Sequence, residues 1–137
     1  MRWKIEVFHK ILKSGCKAEE ARLRSADRLV KLLAIYCLVS WRIFWLTMIN
    51  RSAPDIDAGV VFTNRERVIL DFLVPDKAPN LPGGNTLGIY LVKVAKLGGY
   101  LARRCDPQPG NMFMWRGMVR LIDITLGSEI APQLVGN

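Results

Sequence analysis

Apolar residues recur along this chain at helical rather than strand spacing. In residues 2–14, Ile5, Phe8 and Leu12 fall at i, i+3 and i+7, which predicts one apolar stripe on a helix. Ser14 and Gly15 are placed to end it. Residues 16–26 are polar, with Lys17, Arg22 and Arg24 alternating with Glu19 and Glu20, and read as surface. Ser25 or Asp27 is positioned to cap the next helix. Residues 27–50 then carry apolar side chains all round, including Tyr36, Trp41 and Trp45. Such a helix is expected to be buried on most sides and to form the spine of the domain. Trp41, Trp45 and Cys37 are accordingly expected in the core.

The second half continues the pattern. Thr63, Asn64, Arg65 and Glu66 have the form of a capping box. The short helix after them has Val68, Ile69, Phe72 and Leu73 on one face and is stopped by Pro75. Residues 75–85 are rich in Pro and Gly and predict a loop. Asn85 or Thr86 caps a helix to about residue 104, in which Gly98 and Gly99 predict a kink or a close helix–helix approach. Residues 106–110 form a turn. A last helix runs over 112–126, with Gly127 as its stop and a short frayed tail beyond. About five helices and no strand predict an all-α fold in 137 residues, room for one compact core.

Charge adds a direction. The net charge is +8, and residues 1–51 hold eleven Lys or Arg against four Asp or Glu, whereas 52–137 hold nine against eight. The excess therefore sits in the first third and favours a polyanion, either nucleic acid or an acidic membrane surface. Cys16, Cys37 and Cys105 are far apart and, with His9 the one histidine, make no zinc constellation. They read as reduced thiols of a cytosolic protein, and the charged N-terminus is unlike a signal peptide. Residues 29–49 are the one stretch that suggests a membrane helix. Lys31 and Arg42 interrupt it, leaving ten uncharged residues between them, about half a bilayer span.

The first helix concentrates the candidate chemistry. At about 100° per residue, Glu6 lies about 40° from Arg2, Lys13 about 20°, and His9 about −20°. One face thus carries a carboxylate in a file of cations, and Ile5, Phe8 and Leu12 beside it would dock the helix onto a body. Two readings are open. Arg2 and Glu6 would pair along the helix, worth a few tenths of a kcal/mol. Alternatively the carboxylate would hold a hard divalent ion while the cations hold phosphates next to a bond being cut.

The same residues resemble a known signature. Arg2, Glu6 and Lys13 match the last three members of the Y-(2)-R-(3)-E-(6)-K motif of Tn-five-type transposases, the insertion-sequence-four family. Trp3, Ile5, Phe8, His9 and Lys10 extend the match to the family's R-W-x-I-E-x-F-H-K pattern. The segments K-L-G-G-Y at 96–100 and M-W-R-G at 114–117 also resemble the family's C-terminal part.

The resemblance implies a cut-and-paste DNA transposase with a ribonuclease H-like core and a triad of two Asp and one Glu. Glu6 would be the triad's Glu and a ligand of Mg²⁺ or Mn²⁺. Arg2 and Lys13, with His9, Lys10 and Arg22, would contact phosphates of the transposon end. The mechanism implied is two-metal phosphoryl transfer. Residues 1–24 would be the remnant of the catalytic core and 25–137 a helical dimerisation domain. The motif's Tyr and both Asp belong upstream of Met1, and Asp27, Asp55 and Asp57 follow Glu6 and cannot replace them. The expectation is a truncated C-terminal fragment, inactive alone and holding no metal stably, because one carboxylate cannot hold two ions.

Met112, Trp115, Met118, Val119 and Ile122 recur at helical spacing, either as core or as a dimer face. The expected partners are DNA and a second copy or a full-length transposase, with no membrane, in the bacterial cytoplasm and at the nucleoid. The competing readings are a basic membrane-associated helical protein and an inert gene relic.

Overall fold

Five α-helices account for most of the described chain, so the all-α expectation holds: α1 (Arg2–Lys10), α2 (Ala26–Ser52), α3 (Asn64–Leu73), α4 (Leu87–Leu97) and α5 (Asn111–Val135). A computed structural model describes residues 2–15, 24–75 and 84–135. Among these there is no strand, only an isolated bridge between Asp57 and Thr86. Most of the basic segment predicted over 16–26, part of the 75–85 loop and the last two residues lie outside the described residues.

α1 runs directly into a π-helical segment, Ile11–Gly15. Its docking face differs from the predicted stripe. Ile11 is fully buried and Val7 and Phe8 pack against the core, while Ile5 is 57% exposed. The face that docks is therefore 7–8–11, onto α2 and α5.

α2 begins at Ser25, whose hydroxyl accepts the Arg28 N–H at 3.3 Å, with Asp27 in the first turn where the helix dipole favours an acid. Its burial corrects the expectation of a spine. Val39, Ser40, Ile43, Phe44 and Leu46 are buried, but Ile35, Leu38, Trp41 and Trp45 are exposed, as is Cys37. A helix apolar all round carries no phase, so the pattern could not say which side the core would take.

α3 has the predicted capping box: the Thr63 N–H donates to Glu66 Oε2 at 2.9 Å and the Glu66 N–H donates to Thr63 Oγ1 at 3.2 Å. The other Glu66 oxygen accepts from Arg42 of α2 at 2.7 Å, so one buried carboxylate both starts α3 and ties it to α2. This tie sets the rotation of α3. Glu66 and Leu70 face inward, and Val68, Phe72 and Leu73, predicted as the apolar face, are exposed.

α4 is the true spine: Leu87, Tyr90, Leu91, Lys93, Val94 and Ala95 are all buried. Thr86 is its N-cap but makes no side-chain cap bond. The orphan N–H groups of the first turn are instead taken by loop carbonyls, Leu87 to Ile56 at 2.8 Å and Gly88 to Pro54 at 3.0 Å. The predicted continuation to residue 104 does not occur. Gly99, at φ 97°, closes α4, with Tyr100 N–H on the Ala95 carbonyl and Gly99 N–H on the Lys96 carbonyl. Gly98 serves the close approach instead. A Cβ there would overlap the Phe113 carbonyl of α5, and one on Gly117 would overlap the Val94 carbonyl of α4.

α5 also departs from expectation, since it continues through Gly127 and Pro132 to Val135. Proline there removes one N–H from the helical ladder but does not end it.

Candidate nucleic-acid-facing helix and dimer surface

Docking of Val7, Phe8 and Ile11 decides what α1 and the π-helical segment present outward. Glu6, His9, Lys10 and Lys13 are all exposed. Thus Glu6 and Lys13 of the sequence motif lie outside the core, not turned into it. Glu6, Lys10 and Lys13 each have a polar partner, so the cluster is electrostatically engaged. The His9 ring meets the Phe8 ring edge-on at 5.8 Å between centroids. The π-helical turn from Ile11 is wider than an α turn and rotates Lys13 away from the position a uniform wheel gives it. Arg2 opens the helix, but its side chain, and the whole of Arg22, lie outside the described residues.

The fit of this helix to a divalent ion is poor. Among the described residues no three His, Cys, Asp or Glu come together as a metal-holding group. Mg²⁺ needs near-octahedral oxygen ligation, usually completed by waters and substrate phosphates. Glu6 supplies a single carboxylate toward such a set.

The expected dimer stripe on α5 divides in two. Met118 is fully buried in the chain's own core, beside Met114 and Leu121, and so is not open to a partner. Trp115 and Ile122 pack partly against the same core, with the Trp115 ring edge-on to Tyr36 at 5.3 Å. Val119 is half-buried and Met112 is exposed. The inward stripe is what a two-layer helical packing needs, and its spacing alone could not separate that use from an interface.

Sequence reasoning misses two exposed apolar stripes. On α5, Leu126, Ile130 and Leu134 recur every fourth residue, all at least half exposed. Their spacing is visible in the sequence, but Gly127 and Pro132 read as a helix stop. On α2, Leu38, Trp41 and Trp45 line one exposed face at i, i+3 and i+7.

Residues 38–133 match the family model described as the transposase Tn5 dimerisation domain.

Proposed function

Because the chain belongs to the transposase Tn5 dimerisation-domain family, we propose that it pairs with a second copy, or with a full-length transposase, while the polar face of α1 meets the phosphates of DNA. The family match over 38–133 carries the pairing. The DNA contact is supported by the outward placement of His9, Lys10 and Lys13 on a chain of net charge +8. In this reading Arg2 and Arg22 add to the same phosphate-binding face, and residues 1–24 belong to a catalytic core.

Glu6 provides one carboxylate of a metal-binding set whose other members come from elsewhere. The chain by itself therefore binds DNA without cutting it. Its place is the cytoplasm, at the nucleoid. The interface is proposed on the distal part of α5, through Leu126 and Ile130, because residues 129–134 are all exposed and have no core behind them.

Two measurements test this. Sedimentation velocity is expected to show a dimer, and titration with a short duplex a binding constant that falls linearly with salt on logarithmic axes. Contacts to about three phosphates give a slope of about −3, and Lys13→Gln lowers it by about one unit. A monomer at every concentration, with no duplex binding, would refute the reading. Pairing with a full-length transposase predicts that co-expression lowers transposition frequency in cells.

A further inference from the structure

A cleft of about 260 Å³ opens where α1, α2, α4 and the start of α5 meet. Its floor is apolar, with Leu91 5% exposed. Its rim is not: Lys10 enters from α1, Asn50 and Arg51 from the end of α2, Gln108 from the loop, and Asn111 from the first residue of α5. Among the described residues no Asp or Glu lines it. Lys10 and Arg51 place two cations on this concave surface, where the low-dielectric floor strengthens their pull on an anion.

Two further features point the same way. The N-terminus of a long helix lies here through Asn111, and its dipole favours an anion. In addition Asn50 Oδ1 is buried and has no hydrogen-bond partner among the described residues. A half-turn of that amide exchanges oxygen for nitrogen, so it can donate to a phosphate oxygen or accept from a sugar hydroxyl. A buried amide oxygen without a partner, beside two cations, leaves a place for a ligand that supplies one.

We propose that this cleft binds a phosphate group, with Arg51 and Lys10 holding its charge and the amides of Asn50, Gln108 and Asn111 fixing its orientation. On the proposed function the phosphate belongs to the backbone of nucleic acid, so the grip on DNA extends from the motif face through Lys10 into the helical domain. The site would take a free phosphate compound by the same chemistry. The inference rests on the DNA reading for the source of the phosphate, not for the site.

Side-chain and backbone amide resonances of the full chain, recorded during titration with inorganic phosphate and separately with a short duplex, test it. The expected result is movement of the Asn50, Gln108 and Asn111 amides with both probes. Arg51→Gln should weaken both by about tenfold, the loss of one charge-assisted contact. The same change at the exposed Arg104, away from the cleft, should leave both unaltered. Circular dichroism confirms that each variant is folded. Cleft amides that respond to inorganic phosphate while no duplex binds would uphold the site and sink the DNA reading. A duplex that moves only the His9 and Lys13 resonances, with Arg51→Gln unchanged, would overturn the site and leave the DNA reading standing. No response to either probe would overturn both.

Discussion

Three glycines at the junction of α4 and α5 show how one side chain's absence is used in different ways. Gly98 and Gly117 let the two helices touch backbone to backbone, each lying against a carbonyl of the other helix. Gly99 instead supplies the left-handed turn that ends α4. By contrast a Cβ on Gly127, inside α5, would meet nothing within 4 Å. Alanine at Gly98 or Gly117 is therefore expected to destabilise the fold by about 2–3 kcal/mol through overpacking. Alanine at Gly127 is expected to stabilise it by about 0.5–1 kcal/mol, the helix-propensity gain. Chemical denaturation of the three variants checks both signs, and equal losses at all three would show that α4 and α5 are not in backbone contact.

Between elements, the fold is held by polar ties laid over an apolar core. Lys93 on α4 is buried, and its Nζ donates to Asp71 Oδ1 of α3 at 2.6 Å, while the Tyr90 hydroxyl donates to Asp71 Oδ2 at 2.8 Å. Removing Asp71 takes away the carboxylate that lies 2.6 Å from this buried ammonium group. Asp71→Ala is expected to cost about 3 kcal/mol, and adding Lys93→Met to recover most of it, because an apolar side chain of similar volume needs no partner. A double-mutant cycle by urea unfolding measures the coupling, and additive losses would show that the pair contributes nothing. On α5 the exposed stripe leads to a different prediction. Ile130→Glu should raise the dimer dissociation constant by at least about tenfold, as for a central interface residue, with helical circular dichroism unchanged. An unaltered dimer would move the interface to Leu38, Trp41 and Trp45 of α2.

At the level of the molecule, α2 is 27 residues long and contains an 18-residue window of mean hydropathy 1.8, enough by length and composition to cross a bilayer. Its packing argues for a different environment. Val39, Ile43 and Leu46 lie in the core, and Arg42, well inside the helix, pairs with the buried Glu66 of α3. Placing α2 in lipid would strip away that partner and the core contacts together. The chain is accordingly expected in the supernatant after high-speed sedimentation without detergent, and recovery only in the membrane pellet would contradict this packing.

Much of this was legible along the chain. The all-α class and the Thr63–Glu66 capping box are local statements, since each depends on residues within one or two turns, whereas at Gly98 and Gly99 the sequence offered a kink or a close approach and packing against α5 chose between them. Arg2, Glu6 and Lys13 were legible as a spaced set, but Lys13 falls in the π-helical segment that follows α1. What the tertiary structure decided was phase and partnership. An evenly apolar α2 has no preferred side, so only packing could bury Ile43 and leave Trp41 and Cys37 outside. The rotation of α3 came from Arg42 gripping Glu66 across 24 residues of sequence. The cleft that gathers Lys10, Arg51 and Asn111 draws on segments far apart in the chain, so no sequence window contains it. Local order is encoded by neighbours in the chain, whereas the choice of buried face is a property of the whole core, settled only when every helix competes for the same apolar contacts.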